Sequence, residues 1–144
     1  PGIGLREVDD PAGDTGPVLI TVYPTAEACQ RFVDAIRAEG VRGPEGSLTC
    51  ITMREWGMHW YFNIPSLVKK RSNAKEGFPW THPANAFAAD YSYAKGALPF
   101  CDAMSERAAL LTVASVLSDA DIDDIIAAFR KVGNAFATYM KAAE

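Results

Sequence analysis

An excess of positive charge is the first thing this 144-residue chain lacks, since 14 Lys and Arg stand against 18 Asp and Glu for a formal charge of -4. Phosphate backbones need a clustered positive field, so no nucleic-acid partner is expected. The one basic run, Lys69-Lys70-Arg71, is too short to change that. Long apolar runs are missing too: none approaches the roughly 20 residues that cross a bilayer. The start, Pro1-Gly2-Ile3-Gly4, has neither the basic end nor the apolar stretch of a signal peptide. A soluble, cytoplasmic chain without membrane partners is expected. No initiator methionine opens it, and its first residues are loop-like, which suggests a processed or excised piece.

Three cysteines, Cys29, Cys50 and Cys101, are an odd number at wide spacings. There is no C-x-x-C and no nearby histidine pair to complete a zinc site, so buried reduced thiols are expected. No G-x-S-x-G, Ser-His-Asp order or paired-carboxylate pattern stands out. Gly2-x-Gly4 lacks the third glycine and the strand-turn-helix setting of a dinucleotide motif.

What is present is unevenly spread. The chain has seven Phe, five Tyr and three Trp. Most of them fall between Trp56 and Tyr93, together with both histidines, His59 and His82, and the basic run. Large apolar planes, imidazole and fixed charge in one stretch suit a surface built to hold something. The composition, 49% apolar and 22% charged, is that of a globular domain. One domain over residues 1–144 is expected, a size that buries roughly 68% of its unfolded surface.

Along the chain, the turn formers from Asp9 to Pro17 hand over to Val18–Tyr23, β-branched and apolar enough for a buried strand. Thr25 offers an N-cap, and Cys29, Phe32, Val33 and Ile36 recur at helical spacing until Gly40, giving a helix over 26–39. Leu48–Met53 reads as a second strand and Met58–Phe62 as a third, with a short helix at 65–70. Residues 72–100 are punctuated by glycine and proline and read as a long loop with one or two helical turns, the kind of segment that is mostly functional or docked on a partner. Asp102–Leu110 has helix-forming composition, and Leu111–Ala114 suits an edge strand. Ser118-x-x-Asp121 is a capping-box variant before a last helix whose apolar face runs Ile122, Ile125, Ile126, Phe129, Val132, Phe136 and Met140. The fold class is α+β: a three- to four-stranded, mostly antiparallel sheet with helices on one face.

A strand over Met58–Phe62 projects alternate side chains on one face, which would align His59 and Tyr61, with Asn63 beyond them, along a hydroxyl-rich ligand. An interior histidine and a packing tyrosine are the competing reading. Asp119, Asp121, Asp123 and Asp124 lack the glycine turn and terminal glutamate of a calcium loop, so they read as helix cap and dipole partners; no metal ligands are expected.

Four stretches, taken in order, carry a resemblance. They are Asp10-Pro11-x-Gly13-Asp14-x-Gly16 with the helix ending Arg37-Ala38-Glu39-Gly40-Val41; His59-x-Tyr61-x-Asn63-x-x-x-Leu67-x-x-Lys70-Arg71 with Gly77-Phe78-Pro79-Trp80; Tyr93-x-Lys95-Gly96-x-Leu98-Pro99 running to Arg107; and Leu117–Ile126. Together they resemble the C-terminal small domain of the sugar aminotransferase family often called DegT/DnrJ/StrS, pyridoxal-phosphate enzymes of fold type I, in its branch acting on cyclitols and keto-sugars. The likeness spans about Asp9 to Val132.

The resemblance implies an enzyme moving an amino group from glutamate or glutamine to a keto-sugar or keto-cyclitol. It also implies a large cofactor-binding domain, upstream of Pro1 or on a separate chain, that carries the imine-forming lysine, and a homodimer in the full enzyme. Pyridoxal phosphate belongs to that complete enzyme; none is expected on this chain alone, which has no catalytic residue of its own. His59, Tyr61 and Asn63 are the residues expected to face the substrate, and Trp80 and Phe87 to meet the large domain. A free-standing sugar- or protein-binding module of the same fold is the alternative.

Overall fold

The structure is a computed structural model and describes residues 2–142; the side chain of Pro44 is outside the description. The chain divides into two compact units, one built from residues up to Glu55 and from Met104 onward, the other from Trp56–Ala103.

The first unit holds a four-stranded antiparallel sheet in the order β1-β2-β4-β3, formed by β1 (Gly4–Leu5), β2 (Val18–Val22), β3 (Cys50–Thr52) and β4 (Ala108–Thr112). The α+β class and the antiparallel sheet are as the sequence indicates. β4 pairs Leu111 with Leu19 on one side and with Cys50 on the other, so it is central rather than an edge. Ala108–Leu111 is buried throughout, and an uninterrupted apolar run marks a strand covered on both sides, yet without alternation it resembles helix. The preceding helix, α3, is accordingly confined to Pro99–Glu106.

Two helices cover the sheet. α1 (Ala26–Ala38) is capped by Thr25, whose hydroxyl accepts from the Ala28 amide at 3.1 Å. α4 (Asp119–Ala142) starts with the reciprocal box: the Ser118 amide and hydroxyl donate to the Asp121 carboxylate at 2.8 and 2.6 Å, and the Asp121 amide donates back to Ser118 Oγ. Hydrogen bonds from Ser118 hold the Asp121 carboxyl below its usual value. Between the helices and the sheet, Phe32 lies at ring-centre distances of 5.1 Å from Tyr23 and 5.7 Å from both Phe129 and Phe136. Cys29, Val33 and Ile36 are fully buried there. Ile126, expected on the inner face of α4, is 39% exposed, because its position drifts off the stripe set by Ile125, Phe129, Val132 and Phe136.

Cys29 and Cys50 are buried free thiols and Cys101 is half-buried. Burial pushes the Cys29 thiol up to about 12 and the Cys50 thiol up to about 11. Among the described residues no helix is long and apolar enough to cross a membrane.

The second unit contains α2 (Pro65–Val68), the start of α3, and tight 3-10 turns, one of them Pro83–Ala89 within the expected loop.

Candidate functional site

The aromatic stretch begins with a turn. Gly57 adopts φ 58° and ψ -113°, a region that side-chain-bearing residues avoid, and Asn63 Nδ2 donates to the Gly57 carbonyl at 2.8 Å. The strand expected over Met58–Phe62 is therefore absent; 3-10 turns at Met53–His59 and Tyr61–Asn63 stand in its place. Aromatic residues supply strand-like composition, but a reversed backbone at Gly57 and two tight turns abolish the two-residue alternation.

His59, Tyr61 and Asn63 consequently take three separate environments. His59 is exposed and lies nearly parallel to Trp56, ring centres 4.4 Å apart at 28°; among the described residues it makes no hydrogen bond. Asn63 is tied by its amide nitrogen to Gly57. Tyr61 is half-buried and points its hydroxyl at Asp102, donating at 2.9 and 3.0 Å to the two carboxylate oxygens, while the same hydroxyl accepts from the Leu98 amide at 3.2 Å. Asp102 Oδ2 also accepts from the Gly96 amide at 2.7 Å. Tyr61 and Asp102 thus pin the Lys95–Leu98 turn. A carboxylate six residues beyond a glycine amide carries no local signature, so the sequence does not reveal this partnership.

The turn so held sets the Lys95 ammonium 5.6 Å from the centre of the Phe62 ring, a cation–π distance. Phe62 in turn lies parallel to Trp60, 6.4 Å away at 8°. Residues 56–63 thus carry two stacked ring pairs, Trp56–His59 and Trp60–Phe62, the second with the Lys95 ammonium over Phe62.

The remainder of the loop is ordered by side chains bonding to backbone carbonyls. Lys70 Nζ donates to Ala89 O, and Trp80 Nε1 donates to Arg71 O at 3.1 Å. His82 Nδ1 accepts from the Ala84 amide at 3.2 Å and its Nε2 lies 3.3 Å from Glu76. The Lys70 ammonium and the second histidine therefore serve the loop itself. Phe78, Phe87 and Tyr91 remain more than half exposed.

Pyridoxal phosphate requires a lysine desolvated enough to be a nucleophile near neutral pH. Lys69, Lys75, Lys95, Lys131 and Lys141 are exposed, and Lys70 is half-buried with its amine on a carbonyl. Lys131 is paired with Glu39 at 2.7 Å. The residues present do not fit the cofactor's imine site.

The first unit has a cavity of about 830 Å³ bounded by Val41, Arg42, Thr112, Leu117, Asp124 and Ile125. It contains none of His59, Tyr61 and Asn63, and its Lys131–Glu39 rim is a closed ion pair. Comparison with known proteins finds no family model that matches this chain and no curated protein that does.

Proposed function

We propose that this chain is the substrate-covering small domain of a cytoplasmic, pyridoxal-phosphate-dependent aminotransferase that moves an amino group from glutamate or glutamine to a keto-sugar or keto-cyclitol. The cofactor is held by a separate large domain, and the full enzyme is a homodimer. The observation that supports this reading best is the exposed His59 stacked on Trp56, followed within four residues by the parallel Trp60 and Phe62 rings. A polyhydroxylated ring presents apolar C–H faces to such planes and hydroxyls to groups such as His59 and the Asn63 carbonyl oxygen, the mix of apolar wall and few polar groups that ligand sites use. His59 and Asn63 contact substrate; Tyr61, whose hydroxyl is committed to Asp102 and Leu98, holds the turn that presents Lys95.

Two measurements test this. Titrating keto-sugars and keto-cyclitols against tryptophan fluorescence should give saturable quenching, weakened about tenfold by His59→Ala, a loss of about 1.4 kcal/mol. Stoichiometric pyridoxal phosphate should give no absorbance band that borohydride fixes to a lysine. A stable lysine adduct, or binding indifferent to His59, overturns the reading. Sugar binding unaltered by supplying a separate cofactor-binding domain of the aminotransferase kind favours the free-standing module instead.

A further inference from the structure

β3 is the last strand on its side of the sheet, and its register says which of its backbone groups are left over. The Thr112 amide donates to Thr49 O at 2.9 Å, and Cys50 stands opposite Leu111. In an antiparallel ladder, bonded and non-bonded pairs alternate. Thr49 and Ile51 therefore turn their amides and carbonyls toward β4, while Cys50 and Thr52 turn theirs outward, to the open edge.

Those outward groups are met by an ion pair. Arg37, from the end of α1, donates Nε to Cys50 O at 2.9 Å, and its Nη2 reaches both Glu55 oxygens at 3.1 Å. Glu55 Oε2 accepts from the Thr52 amide at 2.7 Å and from Thr52 Oγ1 at 2.9 Å. One clasp thus occupies the outward carbonyl of Cys50 and the outward amide of Thr52. A surface ion pair alone contributes little. This one sits where an unguarded edge recruits another strand.

We propose that the Arg37–Glu55 clasp is an edge guard, and that the partner it excludes is a second copy of this chain adding its own β3 across a two-fold axis through Ile51. The outward pattern is self-complementary about that residue: Cys50 of one copy meets Thr52 of the other, and each pair exchanges amide and carbonyl. Ile51 then faces its own symmetry mate as a non-bonded pair, where side chains come closest.

The test uses the full chain with Arg37→Met and, separately, Glu55→Ala. Sedimentation velocity across a concentration series is expected to show self-association at least about tenfold tighter than in the parent protein, with the native circular dichroism retained. Adding Ile51→Cys in a Cys101→Ser background should give an oxidised dimer linked at position 51 in the clasp variants and not with the clasp intact. Folded variants that associate no more than the parent overturn the proposal. So does association without the 51–51 link, which puts the contact elsewhere, and so does loss of fold in both variants, which shows that the pair only stabilises.

Discussion

At the scale of single residues, Tyr61 separates a positioning role from a binding one. Its hydroxyl bridges the Asp102 carboxylate and the Leu98 amide, and Asp102 is only 9% exposed. Tyr61→Phe should therefore destabilise by about 1–3 kcal/mol, the cost of leaving a buried charged acceptor short of a donor. Faster hydrogen exchange is expected at the Gly96 and Leu98 amides, which a denaturant series and exchange mass spectrometry would read. A variant with parental exchange at both amides would show that the hydroxyl does not hold the turn. The thiols offer a second check. Cys29 and Cys50 are 0% and 2% exposed and their thiols are raised by burial, so an aromatic disulfide reagent should label Cys101 quickly in the native protein and the other two only on unfolding. Rapid native labelling of all three would contradict the core. Of these roles, the buried thiols were legible as hydrophobic residues without ligand spacing; the Tyr61–Asp102 partnership was not, since it joins residues 41 apart in sequence.

Among elements, α1 was legible almost to the residue because cap, apolar period and terminal glycine agree, and such agreement across levels is what a foldable segment shows. Its cap and its core contact make separable contributions. Thr25→Ala should cost about 1 kcal/mol by removing the acceptor for the Ala28 amide. Phe32→Ala should cost about 3–5 kcal/mol, because it opens a cavity between three other rings; against a usual total of about 5–15 kcal/mol, that brings the first unit near unfolding at moderate temperature. Chemical denaturation of both variants checks the ratio, and equal losses would mean that the aromatic cluster is not the hinge of the α1–α4 packing. β4 and the Met58–Phe62 segment depart from their sequence patterns for opposite reasons. β4 is too uniformly apolar to show a period, whereas Met58–Phe62 shows strand-forming residues whose backbone is redirected by Gly57. Composition reports what a segment tolerates, and the backbone reversal at one glycine decides what it does.

For the whole molecule, charge linkage sets an acid and an alkaline limit. Burial alone would raise the Glu55 carboxyl, but hydrogen bonds from the Thr52 amide and hydroxyl and from Arg37 outweigh it and hold the group below its ordinary value. The unfolded chain then binds the proton more readily, so Glu55 stabilises above about pH 4.3 and its contribution is lost as pH falls through the lower folded value. At the other end, the raised Cys50 and Cys29 thiols, with folded values of about 11 and 12, stabilise fully below the unfolded thiol range. That contribution declines as pH rises from about 8.5. Melting temperature against pH should thus form a plateau with both shoulders, the acid one flattened by Glu55→Gln.

Every residue of the continuous core, from Ile3 to Met140, belongs to the first unit, and none comes from residues 56–103. Thr52 and Ala109 face each other across β3 and β4, and Arg54 and Glu106 are joined at 3.2 Å, so the two chain pieces already meet where the intervening segment leaves and returns. Replacing residues 57–102 by a short Gly-Ser linker should therefore preserve a cooperative thermal transition and a far-ultraviolet spectrum of mixed helix and strand, while abolishing the fluorescence response to keto-sugars that the proposed site requires. Short flexible linkers close such gaps at small entropic cost. If the shortened chain melts without cooperativity, the core is not sufficient and the aromatic unit must be counted part of the fold; if it folds and still responds to the sugar, the ligand surface lies elsewhere than His59 and its neighbouring rings.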